Sequence, residues 1–332
     1  IYPLSSTQSI RPYAPILGLG GAKLEILIIG AGMVGSSAAA AITARRLGSV
    51  FLYDIAQDMT LGRAMDINHA LPLLGNDSYV KECVRLEDAG YVDIVVIAAG
   101  KTRKAGMTRY DLLEQNAEVV GTLAPRIASL YPDAMVLLVT NPVDVLTSYF
   151  KQLCPTMKVF GLGCSLDMVR FRHLISRAAK VSADSVSAMV IGSHDDNMIP
   201  LVSHATIGGV PLDMVLGEHD IGEIIEKTRT AGSTIVKLLK RHSGHYAAGE
   251  VIAQIVEAMA QDRGMIFPVS VGLVGEYGYD GICLAVPCIV GSTGVREIIE
   301  LELTEQEQAA LNICALSIAH QVSSLKGPPA PK

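Results

Sequence analysis

Three residues in the second half of the chain have the types and spacing needed for acid–base chemistry on a hydroxy acid. Asp167 and Arg170 are one helical turn apart, so a carboxylate and a guanidinium can share a helix face. His194 can exchange a proton with a substrate hydroxyl near neutral pH. Together they supply the charges needed to oxidise a 2-hydroxy acid, provided that a hydride acceptor is present. Taken singly, the histidine is more often structural and the Asp–Arg pair more often a surface ion pair.

The missing hydride acceptor is indicated by a glycine-rich segment near the N-terminus. The apolar run Leu24–Ile29 leads into Gly30-Ala31-Gly32-Met33-Val34-Gly35 and then into an alanine-rich helix. The first glycine makes a tight turn, the second lets a pyrophosphate approach the backbone, and the third allows close helix packing. Asp54, after the next strand, can accept both ribose hydroxyls and repel a 2′-phosphate, which favours NAD over NADP. The alternative is a packing turn with a helix-capping aspartate.

A cationic loop follows another apolar run. Four cations fall within nine residues: Lys101, Arg103, Lys104 and Arg109. The loop leaves the carboxyl end of a predicted parallel strand, where open α/β sheets bind ligands, so we favour an anion-binding loop over a solvated basic face. Gly106 can serve a lid. Asn141, before Pro142, can donate to a substrate oxygen, although an ordinary Asn-Pro turn is the simpler local reading.

These segments belong to a pattern that predicts the fold. Strand-like runs alternate with helix-like segments in the first half, which is typical of parallel βαβ units; the runs are 24–29, 50–54, 93–98 and 135–140. Longer helix-compatible stretches follow residue 163, at 166–180, 218–240, 248–261 and 304–325. We predict an α/β protein: a Rossmann-type doubly wound parallel sheet followed by an α+β catalytic domain. The predicted boundaries are arm 1–22, NAD-binding domain 23–162, catalytic domain 163–326 and tail 327–332.

Composition excludes several classes of protein. The net charge of −6 over 332 residues, without a dense Lys/Arg block, argues against nucleic acid or an anionic membrane as partner. The apolar runs are too short to span a bilayer. The cysteines show neither CxxC nor paired histidine spacing, so we expect free thiols, no metal and a cytoplasmic location, with an organellar one left open. They are Cys83, Cys154, Cys164, Cys283, Cys288 and Cys314.

Several motifs in order carry a family resemblance. They are Gly30–Gly35, the Arg103–Arg109 loop, Val139–Asp144, Leu166–Arg172 and Gly192–His194. In this order and spacing, residues 24 to about 320 resemble the lactate/malate dehydrogenase superfamily, most closely its lactate-dehydrogenase-like malate dehydrogenases. Members of this superfamily associate through helices of both lobes. The resemblance therefore implies a homotetramer or homodimer.

The resemblance also implies residue roles. His194 takes the hydroxyl proton as hydride moves to nicotinamide, and Asp167 orients it and stabilises the imidazolium. Arg170 grips the C1 carboxylate, Arg109 polarises the C2 carbonyl and Asn141 helps to fix that oxygen. The expected cofactor is NAD, and its expected contacts are Gly30, Gly32, Met33, Val34, Gly35, Asp54, Asn116 and Asn141.

Arg103 decides the expected substrate. A second arginine can pair with the distal carboxylate of malate or oxaloacetate, whereas the resembling lactate enzymes typically have a neutral residue there. An arginine left unpaired beside a methyl group is costly, so pyruvate should be rejected. We therefore expect a small dicarboxylate substrate. Lactate dehydrogenase is the second reading and another 2-hydroxy acid the third; a nonenzymatic NAD-binding sensor would have no use for His194 with Asp167.

The chain departs from the family pattern in three places. Relatives usually read Gly-Gly-His-Gly-Asp around the histidine, and here Asp195 adds an anion that either faces solvent or raises the pKa of His194. His245 and Glu250 stand where relatives have small apolar residues; they either reshape the pocket or, as we favour, face solvent. Ala105 replaces a usual proline, which loosens the lid hinge.

Overall fold

The computed structural model describes residues 24–101, 109–240 and 243–325. The expected arm and tail, Arg103, Ala105 and the side chain of Arg109 lie outside the described residues.

The first half is a six-stranded parallel sheet with helices between its strands. Its elements are β1 Leu24–Ile29, α1 Met33–Ala44, β2 Gly48–Tyr53, α2 Gln57–Ala70, β3 Val80–Cys83, β4 Ile94–Ile97, α3 Arg109–Leu130, β5 Met135–Leu138, α4 Val143–Leu153 and β6 Lys158–Gly161. The spatial order is β3-β2-β1-β4-β5-β6, so the chain reverses direction across the sheet between β1 and β4. Ligands bind open α/β sheets at such a switch point.

The second half adds three antiparallel strands to the same sheet. Its elements are α5 Ser165–Ala179, β7 Val186–Ser187, β8 Val190–Ile191, β9 Ile199–Pro200, β10 Thr206–Ile207, β11 Val210–Pro211, α6 Glu218–Leu239, α7 Tyr246–Ala260, β12 Met265–Val274, β13 Asp280–Gly291, β14 Gly294–Ile298 and α8 Glu305–Ser324. β12 pairs with β6 where Ser270 meets Gly161, giving nine strands in the order β14-β13-β12-β6-β5-β4-β1-β2-β3. None of the helices in the described ranges is long and apolar enough to cross a bilayer.

The central strands of the first half form because most of their residues are apolar on both faces. The four residues from Ile26 to Ile29 are at most 1 % exposed, and those of β4 are fully buried, as expected for parallel strands covered by helices on both sides. The two halves share one sheet. The strand at 158–161, just before the predicted boundary at residue 163, lies inside that sheet and pairs with β12 of the second half.

Helices α1 and α7 form the main helix contact between the halves. A Cβ at Gly249 would lie 2.7 Å from Ser37 Cβ and 2.9 Å from the Ala38 nitrogen, so only glycine allows this approach. Arg45 of α1 also reaches Glu250 at 2.6 Å and Glu257 at 2.7 Å. Because α1 begins at the glycine loop, this contact holds that loop against the second half.

We predict that Gly249→Ala destabilises the protein by about 1–3 kcal/mol, because the added methyl meets backbone atoms that cannot move aside easily. Gly222→Ala in α6 is the matched control, since a Cβ there meets nothing within 4 Å. The control should be neutral or gain up to about 1 kcal/mol from helix propensity. Urea unfolding of both variants and the parent measures the difference; equal stabilities for the two variants would contradict the packing argument.

Candidate active site

The glycine loop has the shape required to receive a pyrophosphate. Gly30 has φ +106°, and a Cβ on it would collide with the Ala99 backbone. A Cβ on Gly35 would collide with the carbonyl oxygen of Gly30, whereas one on Gly32 would meet nothing within 4 Å. Gly32 is also the N-cap of α1. Glycine has no side chain to cap the helix, so no capping side chain occupies the first N–H groups. An open backbone at a helix N-terminus fits the phosphates of NAD.

Asp54 lies just beyond β2, beside the glycine loop. Its Oδ2 accepts the Ala31 N–H at 2.8 Å, and its Oδ1 accepts the Ala56 N–H at 3.0 Å. The guanidinium of Arg63 donates to the carbonyl of the same Ala31. Each carboxylate oxygen keeps a second lone pair, so the residues present fit the ribose hydroxyls of NAD.

Two asparagines lie at the ends of β4 and β5. Asn116 of α3 is buried; its Oδ1 accepts the Lys101 N–H at 2.6 Å, and its Nδ2 donates to the Asn141 carbonyl at 2.7 Å. Asn116 therefore ties the two strand ends together. Asn141 is exposed, lines the cleft described below and precedes Pro142 through a cis peptide bond.

Asp167 joins the two other residues of the predicted acid–base set. It is fully buried in the first turn of α5, where the helix dipole favours a carboxylate. Its Oδ2 lies 2.5 Å from Nδ1 of His194, and its Oδ1 accepts from Arg170 Nη1 at 2.9 Å. A carboxylate only accepts, so Nδ1 is the protonated nitrogen and Nε2 remains for a substrate.

The surroundings of His194 favour its protonated form. Burial lowers the pKa, but the charge and hydrogen bond of Asp167, and then the charge of Asp144, outweigh that effect and the repulsion of Arg170. The pKa of His194 is therefore raised above its ordinary value. A raised pKa keeps a proton on the imidazole at the pH where a carbonyl must be protonated.

Asp144 is a functional residue that the sequence analysis did not single out. It is buried in the first turn of α4, and its Oδ2 accepts the backbone N–H of His194 at 2.8 Å. Burial raises its pKa to about 6, while the His194 N–H and the Ser270 hydroxyl act to lower it. Ser270 lies near this carboxylate without hydrogen-bond geometry to it. The only available signal was its place in the motif Val139–Asp144.

A cleft of about 630 Å³ collects these groups. Among the residues lining it are Val34, Asn141, Asp167, Arg170, His194, Asp195, Asp196, Arg229, Gly232, Ser233, Gly244 and Ala248. The structure thus brings Asn141 together with Asp167, Arg170 and His194. Val34 of the glycine loop lines the same cleft, so the glycine loop and His194 border one space.

The departures from the family pattern that fall on described residues differ in outcome. Asp195 is half-buried; its Oδ1 accepts the Ser193 hydroxyl at 2.8 Å and the Asn197 N–H at 2.7 Å, so one carboxylate oxygen is used within its own turn. Glu250 is exposed, as expected, and pairs with Arg45. The expectation of solvent exposure was wrong for His245, the N-cap residue of α7. It is 8 % exposed, and its ring centroid lies 4.2 Å from that of Tyr246.

No group of three or more His, Cys, Asp or Glu that could hold a metal occurs within the described ranges. The six cysteines are buried and free, which confirms the expectation of thiols.

Comparison with known proteins identifies the family. Residues 24–161 match the domain described as lactate/malate dehydrogenase, NAD binding domain, and residues 164–325 match the corresponding alpha/beta C-terminal domain. The chain belongs to the lactate/malate dehydrogenase family. It is an NAD-dependent 2-hydroxy acid dehydrogenase, and the expected family, fold class and cofactor are confirmed.

Similar proteins include both malate dehydrogenases and lactate dehydrogenases. The chain is 40 % identical to the malate dehydrogenase of Desulforudis audaxviator over 87 % of this chain and 94 % of that protein, and 38 % identical to the Bacillus subtilis enzyme over 92 % and 100 %. Malate dehydrogenase of Cryptosporidium parvum superposes with TM-score 0.88 at 35 % identity, covering 91 % and 99 % of the chains. A lactate dehydrogenase from the same organism, solved with lactic acid and the cofactor, gives 0.88 at 32 %, covering 94 % and 100 %. The fold is therefore equally compatible with either substrate.

The raised pKa of His194 predicts how the rate depends on pH. Reduction needs the imidazolium, so kcat/KM for the keto acid should fall as pH rises through this pKa. Asp167→Asn removes the main charge that stabilises the imidazolium. The fall in kcat/KM should therefore occur at a pH lower by about one unit or more. The rate at pH values below this fall should also drop about 10²- to 10⁴-fold.

Initial rates of the enzyme–NADH complex across pH 5–10 measure this fall. Asp213→Asn, an exposed carboxylate outside the cleft lining, is the control and should keep the parent profile. A fall at an unchanged pH in Asp167→Asn would show that another group titrates.

Proposed function

We propose that the protein is a malate dehydrogenase, which catalyses reversible hydride transfer between C2 of malate and nicotinamide and gives oxaloacetate. The observation that carries the proposal is the buried Asp167 carboxylate shared by His194 and Arg170. One group thereby orients both the acid–base residue and the cation that binds the substrate carboxylate. The names of the most similar relatives support the choice of malate.

In the proposed reduction, His194 acts as the general acid. Its Nε2 gives a proton to the C2 oxygen as that oxygen gains negative charge, and Asp167 stabilises the imidazolium beforehand. When bound, NADH supplies the hydride. In the oxidative direction the neutral imidazole removes the hydroxyl proton, and the same carboxylate then stabilises the charge that forms.

The remaining roles concern binding and orientation. Arg170, already aimed by Asp167, holds the C1 carboxylate through its planar fork. Arg109 and Asn141 polarise and fix the C2 oxygen. The N–H groups after Gly32, at Met33 and Val34, would receive the pyrophosphate, and Asp54 the ribose hydroxyls. Gly30 and Gly35 shape that loop, and Asn116 acts by tying the strand ends together.

The choice between malate and lactate rests on Arg103. A guanidinium in the substrate site pairs well with a second carboxylate and poorly with a methyl group. Lactate dehydrogenase stays the second candidate because lactate enzymes share the fold. We also propose a homotetramer or homodimer in the cytoplasm.

Paired initial rates with NADH test the substrate. We expect strong preference for oxaloacetate over pyruvate in the parent. In Arg103→Gln, kcat/KM for oxaloacetate should fall about 10- to 100-fold, the range for one lost charge-assisted hydrogen bond, while that for pyruvate should not fall.

Lys104→Gln is the control, because it removes a neighbouring cation of the same loop and should keep the parent preference. Preference of the parent for pyruvate would replace malate with lactate. A parent that binds NADH but reduces neither acid would point to another 2-hydroxy acid as the substrate.

A further inference from the structure

Helix α6 presents one face to the cleft. Its lining residues, Arg229, Gly232, Ser233 and Val236, are spaced i, i+3, i+4 and i+7, which is a single helical face. Arg229 thereby lines the same cleft as Arg170 and His194. The role of this arginine is not explained by the family motifs that the chain carries.

We infer that Arg229 is a further substrate-binding residue, whose guanidinium receives, together with that of Arg103, the second carboxylate of a dicarboxylate held at its first carboxylate by Arg170. The inference rests on the proposed function, since it assumes that a 2-hydroxy dicarboxylate occupies this cleft.

The hydrogen bonds of Arg229 orient its guanidinium but leave some of its N–H donors available. Its Nε donates to the Met198 carbonyl at 3.2 Å, and Nη1 pairs with Glu226 Oε1 at 3.1 Å. The Glu226 side chain is 68 % exposed, so this pair is screened by water and contributes little. Nη2 is used by neither bond, and its hydrogens can serve a carboxylate in the cleft.

Gly232 lies over the Arg170 guanidinium, one helical turn from Arg229. A Cβ at this position would lie 3.6 Å from Arg170 Nη1 and 3.9 Å from Nη2, so α6 passes directly over the Arg170 guanidinium. The Cα of Arg229 is one turn earlier, about 4.5 Å from that of Gly232 along the helix axis. The two arginines therefore border the same cleft from neighbouring positions.

The carboxylates lining the cleft make a further cation favourable for a dianionic substrate. Asp167 and Asp195 both line it, and Asp167 already pairs with Arg170. Each carboxylate raises the electrostatic cost of bringing in a second negative charge, and a cation facing the same space offsets that cost. Arg229 is such a cation, in addition to the proposed Arg103 and Arg109.

Binding of two unreactive analogues to the enzyme–NADH complex tests the inference by calorimetry. Hydroxymalonate carries two carboxylates and oxamate carries one. In Arg229→Gln, the dissociation constant of hydroxymalonate and the KM of oxaloacetate should both rise about 10- to 100-fold. Oxamate binding and the KM of pyruvate should change by less than about twofold, within the small effects of distant surface changes. Arg229→Lys, which keeps the charge, should recover part of the loss.

Lys227→Gln is the matched control, because Lys227 is on the same helix, pairs with Glu223 and does not line the cleft. An equal loss of affinity for both analogues in Arg229→Gln would overturn the inference. It would instead assign Arg229 to holding Met198 and the turn that carries His194. Unchanged affinity for both analogues would also overturn the inference. If the parent itself prefers pyruvate, the proposed function fails, whereas the comparison of analogues still reports on Arg229.

Discussion

The active site depends on one fully buried carboxylate, that of Asp167, with a cation on each side. An isolated charge at this depth would be strongly disfavoured, so the carboxylate requires His194 and Arg170 as much as they require it. Its position in the first turn of α5 adds the favourable field of the helix N-terminus. Neutralising this group would remove the partner that orients the imidazole and the salt bridge that orients the guanidinium. The same interaction therefore couples proton transfer to recognition of the substrate.

Asp144 is a second buried carboxylate in a similar position one strand away. It also occupies the first turn of a helix at the carboxyl edge of the sheet, but it holds the backbone of His194 rather than its ring. The two aspartates differ in solvation and partners: Asp144 has no cation against it at hydrogen-bond distance among the described residues, and burial raises its pKa to about 6. A histidine fixed at both main chain and ring can keep one orientation while its charge changes.

Sequence patterns predicted the elements with strong apolar runs and the residues with chemical motifs. All four strand-like runs of the first half are strands, and four long helices of the second half begin and end within about two residues of the expected bounds. β12 and β13 were not identified, because Pro268 and Pro287, which face each other in the ladder, interrupt the alternation that marks a strand. The Asp144 contact was beyond prediction, since any residue at 194 supplies the same N–H. The burial of His245 depends on how α7 packs, which local sequence does not encode.

The two attachments of His194 come from opposite halves of the protein. Asp144 belongs to the half that carries the glycine loop, and Asp167 to the half that carries the substrate residues. A hinge motion that separated the halves would pull the histidine away from one aspartate or the other. The shared sheet and the α1–α7 crossing oppose the same motion. These contacts oppose opening and closing of the two halves, and the structure favours entry of substrate through movement of surface segments and side chains.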